Sequence, residues 1–413
     1  MTKVFNIPKK QVLEAYKLVK AKAGSAGIDR QSLTDFEQNL KGNLYKIWNR
    51  LSSGSYFPPP VMAALIPKKS GGTRTLGIPT VSDRIAQMVV KLSFEPKVEP
   101  YFLEDSYGYR PNKSALDAVG ITRKRCWKHN WVLEFDIKGL FDNISHNLLI
   151  KAVEKHTQEK WIILYIKRWL TAPIIMPDGS KVLRVKGTPQ GGVISPVLSN
   201  LFLHYVFDKW MQINHPGKPW CRYADDGLVH CRTEKQSLDM LNQLKQRFKQ
   251  CGLEIHPEKT KVIYCKDSNR KGKYSVTSFE FLGYEFKPRL VRSRDTKILF
   301  VSFTPAVSSS AGKAMRERVR QWKLKYRVEL SLEEIATYCN PTLRGWMQYY
   351  GKYCPSSLGP IWNQFNSVLV KWVMRKYRKL NGKMRAGKML ESMRQKHPAL
   401  FVHWGVGIGG YFA

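Results

Sequence analysis

Residues 221–231 read CRYADDGLVHC, and two adjacent carboxylates, Asp225 and Asp226, lie there between short runs that favour β-strands. Two like charges side by side repel each other, so the pair needs an explanation. Asp-Asp-Gly is good turn chemistry, and a solvated hairpin turn is one explanation. The other is a bound cation, and the rest of the chain has to distinguish between the two.

The chain of 413 residues is strongly basic, with 69 Lys and Arg against 32 Asp and Glu and a net charge of +37. This excess opposes compaction unless a polyanion neutralises it, and the usual polyanion is nucleic acid. An anionic membrane surface is a less favoured alternative, because no basic amphipathic anchor stands alone at a terminus. The length allows two or three domains, and 43% hydrophobic residues are enough for a sizeable core.

No stretch approaches the roughly 18 consecutive apolar residues of a membrane span. The first residues, MTKVFNIPKKQ, lack the apolar core of a signal peptide. The seven Cys are odd in number and form no CxxC pair, which suits a reducing cytosol. We therefore expect a cytoplasmic protein, bacterial or nucleoid-associated, with no membrane partner.

The pattern of apolar residues predicts helices at 12–19, 34–51, 82–99 and 234–251, with a subdomain boundary at the Pro-rich stretch SSGSYFPPP. Strands interleave irregularly with helices up to about residue 300, which is typical of an α+β sheet domain. From 305 to 388 the chain is predicted to be helical, and it is strongly basic there.

Three carboxylates are candidates for one metal site. Asp136 lies near the end of a predicted strand, Trp131 to Ile137, and Asp225 and Asp226 occupy a predicted hairpin turn. Mg²⁺ prefers oxygen ligands and works beside substrate phosphates. Two such ions about 3.5–4 Å apart can activate a hydroxyl and stabilise a leaving pyrophosphate. The backbone carbonyl of Ile137 can supply a further ligand.

Several segments resemble the conserved blocks of reverse transcriptases, in the order of that family, between about residues 65 and 287. In chain order they are LIPKKSGGTRTLGIPTVSDRIAQ, SYGYRPNKSALDA, EFDIKGLFDNI, GTPQGGVISPVLSNL, YADD, GLEIHPEKTKV and FEFLGYEF. The basic helical region, with LRGWMQYYGKY, is similar to the maturase-specific thumb called domain X. The chain thus resembles group II intron-encoded reverse transcriptases with maturase activity.

This resemblance implies an α+β right-hand polymerase, with fingers and palm followed by an all-helical thumb. The expected domains are an N-terminal extension (1–60), fingers and palm (61–300), the thumb or domain X (301–388) and a short C-terminal segment (389–413).

The resemblance also implies roles for individual residues. Asp136, Asp225 and Asp226 correspond to the catalytic triad that holds two Mg²⁺ ions, with Ile137 as the carbonyl ligand. The expected dNTP-binding residues are Lys69, Arg74, the steric gate Phe141 and Gln190. The expected template or primer contacts are Lys68, Tyr223 and Arg110, although an internal salt bridge is nearly as good an interpretation of Arg110. The expected RNA-binding face of the thumb comprises Arg375, Lys376, Arg378 and Lys379.

The implied function is RNA-directed DNA synthesis from dNTPs, coupled to binding group II intron RNA, assisting its splicing and copying it at a DNA target during retrohoming. The segment HPALFVHWG resembles the end of family members of the IIC class, which lack an HNH endonuclease, so no second-strand cleavage is expected. Two alternatives are a host-domesticated polymerase in repair or defence and a non-catalytic RNA-binding splicing cofactor. The intact triad, Phe141 and the PQGG segment argue against the second.

Overall fold

The computed structural model describes residues 4–67, 71–293, 295–406 and 412. They form two compact units whose sequence ranges alternate. The first takes its described residues from Met1–Ser114, Leu133–Val229 and Lys235–Lys261. The second takes its described residues from Ala115–Val132, His230–Glu234 and Val262–Ala413.

The first third of the chain is mostly helical. Its elements are α1 (Lys9–Lys22), α2 (Leu33–Gln38), α3 (Leu40–Ser52), β1 (Val61–Pro67), β2 (Thr73–Ile78), α4 (Val81–Val98) and α5 (Ala115–Lys128), with a 3₁₀ turn at Glu99–Tyr101. The helix predicted at 34–51 is divided at Asn39, whose backbone (φ −129°, ψ 52°) is not helical. The Asn39 side chain accepts from the Gly42 N–H and so caps α3.

The middle of the chain carries the strands that frame the predicted site. Its elements are β3 (Trp131–Asp136), α6 (Leu140–Asn143), α7 (His146–His156), α8 (Lys160–Thr171), β4 (Ile174–Ile175), β5 (Lys181–Val182), α9 (Ser195–Leu203), a π-helical turn (His204–Asp208), α10 (Lys209–Asn214), β6 (Trp220–Tyr223), β7 (Asp226–Cys231) and α11 (Glu234–Gln250).

The last part begins with strands and continues with helices. Its elements are β8 (Lys261–Tyr264), β9 (Phe279–Phe281), β10 (Tyr284–Arg292), β11 (Leu299–Val307), α12 (Ser309–Gln321), α13 (Leu332–Tyr350), α14 (Gly359–Lys376) and α15 (Lys383–Lys396). Short 3₁₀ turns lie at Leu324–Tyr326, Pro355–Leu358, Arg378–Leu380 and Trp404–Val406.

The described strands form three sheets, with the orders β2-β1-β4-β5, β6-β7-β3-β8 and β11-β10-β9. In the second sheet, β6 and β7 form an antiparallel hairpin and β3 lies beside β7. Neighbouring strands of this sheet thus carry Asp136, the last residue of β3, and Asp226, the first residue of β7. The α+β class predicted for this region is therefore confirmed.

A buried carboxylate ties α4 to the core of the first unit. The Asp83 side chain accepts from the Tyr56 hydroxyl and Trp169 Nε1, both at 2.8 Å, and from Gln87 Nε2 at 2.9 Å. Burial raises the pKa of Asp83, and these three donors oppose that rise. Hydrogen bonds of this kind make a buried carboxyl tolerable, and here they fix α4 against α8.

The helices of the second unit share an aromatic core. Its large buried members are Trp322, Trp362, Phe365, Trp372 and Phe401.

The helical region starts later than the predicted residue 305, and the expected domain boundary at 300 falls inside β11. The strand continues because all nine of its residues pair with β10, from Leu299 opposite Arg292 to Val307 opposite Tyr284. Helix α12 then begins where the Ser308 side chain accepts from the Ala311 N–H.

No helix among the described residues has the length and apolar character that crossing a membrane requires.

Candidate active site

The β6–β7 hairpin presents the paired carboxylates. Tyr223 lies opposite Asp226 at the end of the ladder, and Ala224 adopts a left-handed backbone (φ 57°) directly before Asp225. Gly227 follows, and a Cβ there would collide with the ring of Phe135. The turn is therefore a constrained structure packed on β3, and the interpretation as a solvated surface turn does not fit it.

The carboxylates of Asp136, Asp225 and Asp226 act on one another electrostatically. Loss of hydration and then repulsion by Asp136 raise the pKa of Asp225. Loss of hydration and then repulsion by Asp225 and Asp136 raise the pKa of Asp226 to about 7. Part of this residue is nevertheless exposed to solvent. The sheet thus brings the three predicted catalytic residues close enough for their charges to interact.

One counter-charge is present, and the sequence analysis did not anticipate it. Lys259 Nζ makes an ion pair with the carboxylate of Asp136, and this hydrogen bond raises the pKa of Lys259. In this arrangement, no group of three or more His, Cys, Asp or Glu among the described residues is set to hold a metal ion. The donors still fit Mg²⁺, because they are carboxylate oxygens, which this ion prefers as ligands. Ile137, the predicted carbonyl ligand, is buried and bridges to Ile255.

Two of the predicted nucleotide-binding residues touch each other. Arg74, on β2, donates from Nε to Oε1 of Gln190. The Gly77 N–H donates to the Gln190 carbonyl at 2.6 Å, so the PQGG turn lies directly against β2. Gly191 has a φ of 108°, and a Cβ there would collide with the Gly77 carbonyl. The glycine is thus required for this close approach. Lys68 and Lys69 lie outside the described residues.

Phe141, the predicted steric gate, lies at the start of α6 and is only 6% exposed. Its carbonyl accepts from the Thr188 N–H at 2.7 Å. This bond ties α6 to the segment that leads into Gln190. The structure therefore places Phe141 beside the PQGG turn, and its role as a gate stays a prediction.

Arg110 is fully engaged within the protein, which supports the internal salt bridge over a template contact. Its Nε donates to Glu99 at 2.8 Å, and its Nη1 donates to the carbonyls of Leu103 at 2.6 Å and Ser106 at 2.8 Å. Its neighbour Tyr109, which the sequence analysis missed, faces the site instead. Tyr109 has a left-handed backbone (φ 58°), is 48% exposed and has a pKa raised by loss of hydration and then by Asp225. A left-handed backbone is uncommon for a residue other than glycine, and together with its electrostatic interaction with Asp225 it makes Tyr109 a candidate site residue.

Arg222 is a second residue that the sequence analysis missed. Its side chain is fully buried, and all five of its N–H groups have acceptors. Two go to the Asp208 carboxylate at 2.8 and 2.7 Å, and one goes to the Ser106 hydroxyl at 2.7 Å. The other two go to Asn200 Oδ1 and the Ala224 carbonyl, both at 3.1 Å. Because Ala224 precedes Asp225, this network holds the turn that carries the catalytic carboxylates.

Comparison with known proteins agrees with this geometry. The family model for reverse transcriptase (RNA-dependent DNA polymerase) matches residues 66–286, more than half of the chain. The model for the group II intron maturase-specific domain matches residues 312–390. The chain belongs to the reverse transcriptase family.

Three relatives show the extent of the likeness. Protein YkfC of Escherichia coli is 30% identical over 317 residues, which cover 66% of this chain and 77% of YkfC. The group II intron-encoded protein LtrA of Lactococcus lactis is 37% identical over 167 residues, 40% of this chain and 28% of LtrA. The putative COX1/OXI3 intron 1 protein of Saccharomyces cerevisiae is 31% identical over 200 residues, 48% of this chain and 24% of that protein. The matches span less than a third of the two intron proteins.

These matches make the chain an RNA-binding, RNA-directed DNA polymerase with a domain of group II intron splicing proteins. The predicted enzyme class and the predicted right-hand fold, with a helical region after the palm, are thereby confirmed. Reverse transcriptases as a family use divalent metal ions, which suits the carboxylates of this site.

In the maturase-specific domain of this reverse transcriptase, the four predicted RNA-binding cations differ in availability. Arg378 and Lys379 are exposed, and the exposed Arg375 guanidinium lies 4.9 Å from the ring centroid of Tyr326. Lys376 is half-buried and donates to the Leu330 carbonyl, so it stabilises the fold. We therefore remove Lys376 from the predicted RNA-binding face.

Proposed function

We propose that this reverse transcriptase synthesises DNA at a centre of two Mg²⁺ ions held by Asp136, Asp225 and Asp226, with the Ile137 carbonyl as a further ligand. The observation that carries the proposal is the placement of Asp136 at the end of β3 beside β7, which Asp226 begins directly after Asp225. Loss of hydration and then repulsion by Asp225 and Asp136 raise the pKa of Asp226 to about 7, which agrees with this placement. When bound, the ions would activate a primer hydroxyl and offset the charge of the leaving pyrophosphate.

The proposed substrates are dNTPs on a primed RNA template. Gln190 orients the Arg74 guanidinium, whose fork of N–H donors suits a triphosphate. Lys69 is a further proposed contact of the triphosphate, and Lys68 is a proposed contact of the template or primer. Phe141 would exclude a 2′-hydroxyl, and Tyr223, at the end of the hairpin ladder, would lie near the primer terminus.

We further propose that the second unit binds group II intron RNA and assists its splicing, and that the polymerase then copies the intron at a DNA target. Arg375, Arg378 and Lys379 are exposed cations in the segment that matches the maturase-specific domain. Affinity that comes from phosphate contacts should fall steeply with salt. The domain limits 1–60, 61–300, 301–388 and 389–413 remain proposals, and we propose to move the start of the third to the end of β11.

A reducing compartment such as the cytoplasm would keep all seven cysteines free, as they are here. Membership of the IIC class, which the resemblance of HPALFVHWG implies, stays a proposal. A strand-specific cleavage assay on end-labelled duplex DNA tests it, and second-strand nicking that survives Asp225→Asn would contradict it.

Primer extension on an annealed RNA template, measured beside RNA binding, tests the polymerase assignment. Asp225→Asn and Asp136→Asn should each abolish extension and leave the RNA dissociation constant nearly unchanged, because the carboxylates serve the chemical step. Asp239→Asn, on an exposed face of α11, is the matched control and should extend normally. Substantial extension by either site variant would overturn the metal assignment.

A further inference from the structure

A cavity of about 420 Å³ lies in the second unit, between the end of α12, the 3₁₀ turn after it and the middle of α14. We call it the slot. Three of its lining residues are aliphatic, and of these Val319 and Leu324 are buried and Val368 is half-buried. The apolar part of the slot is therefore an extension of the helical core that reaches the surface.

The remaining lining is positively charged. Its cations are Arg320, Lys323, Lys325 and Lys371, all of them exposed. No lining residue is acidic, and the ion pairs of the described residues involve none of these four side chains. Four uncompensated cations that converge from separate elements on one opening favour an anionic ligand there.

Tyr326 lies between the slot and Arg375, and its phenol is affected by the positive charge on both sides. The ring is 52% exposed, with Lys325 Nζ 4.6 Å and the Arg375 guanidinium 4.9 Å from its centroid. The pKa of the phenol is lowered, first by its hydrogen bond with Lys325 and then by the surrounding charges, which include Arg375 and Lys323. Positive charge thus extends from the slot to the face already proposed to bind RNA.

The slot also offers neutral hydrogen-bonding groups. Gln364 donates from Nε2 to the Arg316 carbonyl at 3.0 Å, which fixes its amide and leaves Oε1 as an acceptor. The half-buried hydroxyl of Ser367 lies one turn of α14 away. A ligand in the slot therefore meets an apolar surface, a few polar groups and a rim of cations.

We propose that the slot holds one unpaired nucleotide of a bound RNA. The base would pack on Val319, Leu324 and Val368, with Gln364 and Ser367 at its edge, and the flanking phosphates would contact the cationic rim. An unpaired base has an apolar face and a polar edge, and proteins read RNA mainly through such unstacked bases. An acidic peptide would satisfy the cations but leave the apolar lining unused. The inference rests on the proposed RNA-binding function, because the whole slot lies within residues 312–390.

The test compares two hairpin RNAs with the full-length protein, one fully paired and one with a single bulged uridine. Fluorescence anisotropy gives their dissociation constants at several salt concentrations. The parent should bind the bulged hairpin about tenfold more tightly than the paired one, because one well-packed base contributes binding free energy of this size. Equal affinity for the two hairpins would overturn the proposal.

Two kinds of variant locate the effect. Val368→Phe fills the slot without changing charge, and it should abolish the advantage of the bulge. Lys323→Gln with Lys371→Gln should also remove it and flatten the salt slope by about 0.7 per lost phosphate contact. The matched control is Lys313→Gln with Lys388→Gln, two exposed cations of the same unit that do not line the slot. A bulge advantage that survives both slot variants, or is lost equally in the control, would overturn the proposal.

Three further measurements distinguish the ways in which the proposal could fail. If Val368→Phe lowers the melting temperature, the charge variant alone decides. A DNA hairpin with the same bulge should bind no more tightly than a fully paired DNA hairpin. If the bulge tightened DNA binding as much as RNA binding, and the slot variants removed that effect, the assignment to RNA would be overturned. Primer extension run in parallel should be retained by all variants. A parent that neither extends nor binds either hairpin refutes the proposed function, whereas a parent that does both without a bulge advantage refutes only the slot.

Discussion

Lys259 forms an ion pair with Asp136, and it does so inside the cluster of carboxylates proposed to hold metal. The two residues are 123 positions apart in the chain. The ammonium group supplies positive charge where the proposed ions would supply it, and it also opposes part of the rise in the pKa values of Asp225 and Asp226. Lys259 and a cation on Asp136 therefore compete for the same oxygen.

We expect Lys259→Gln to tighten Mg²⁺ binding to the free protein by about two- to fivefold at pH 8, because an exposed ion pair contributes up to about 1 kcal/mol. The measurement is thermal melting during a Mg²⁺ titration without nucleic acid, which does not depend on turnover. Lys261→Gln, two residues further and also exposed, is the control and should leave the midpoint unchanged. A weaker Mg²⁺ midpoint in Lys259→Gln would contradict the competition.

The raised pKa of Asp226 predicts how metal-free stability changes with pH. The folded-state pKa of about 7 lies above the ordinary 3.8, so the folded protein holds this proton more tightly. The stabilising contribution is therefore fully present below about pH 4 and is lost as the pH rises through about 7. Asp226→Asn removes the negative charge, so it should raise the melting temperature at pH 8 in EDTA by about 1–3 °C.

At pH 5 the same variant should melt close to the parent, because the parent's carboxyl is then protonated and neutral. Asp239→Asn, on the exposed face of α11, should show no such difference between the two pH values. Equal effects of Asp226→Asn at pH 5 and pH 8 would show that the charge of Asp226 is not the cause.

The Arg222 network predicts separate effects on stability and on rate. Arg222→Met leaves the Asp208 carboxylate buried without its partner, and breaking a buried pair in this way costs about 3–5 kcal/mol. Arg222→Met with Asp208→Leu removes both charges and should recover most of that stability. The double variant should still extend primers slowly, with the loss mainly in kcat, because the Ala224 carbonyl has lost its donor.

Urea unfolding and steady-state extension with each dNTP measure the two effects. Parental kcat in the stable double variant would show that Arg222 matters only for folding. If Arg222 positions the catalytic turn, Asn200→Ala should also lower kcat, since Asn200 accepts from Arg222 and donates to the Gly108 carbonyl at 2.7 Å.

Phe141→Ala should let the polymerase incorporate rNTPs more readily, because removal of the ring opens space for a 2′-hydroxyl. The ratio of kcat/KM for dNTP over rNTP should fall by about tenfold or more, equivalent to about 1.4 kcal/mol of discrimination. Leu140→Ala, in the same short helix and also buried, controls for lost packing and should keep the parental ratio. An unchanged ratio in Phe141→Ala would mean that this ring serves only the core.

The sequence by itself determined the family, the enzyme class and the order of the reverse transcriptase and maturase-specific segments. Each rests on contiguous motifs, because the backbone turns they encode are local: Asp-Asp-Gly in a hairpin, PQGG at a close backbone approach, and Asp136 at the end of an apolar strand. The basic helical stretch after the palm was visible for the same reason, since helical spacing and charge are properties of neighbouring residues.

Only the tertiary structure decided which side chains partner one another across the chain. Lys259 forms an ion pair with Asp136, and Arg222 forms one with Asp208. Arg110 forms an ion pair with Glu99, whereas its neighbour Tyr109 interacts with the charge of Asp225. Lys376 looked equivalent to Arg375 in sequence, yet one supports a loop carbonyl and the other is exposed. Charge in a sequence specifies what a side chain can bind, but burial and distance specify what it does bind, and both are set by residues far away in the chain.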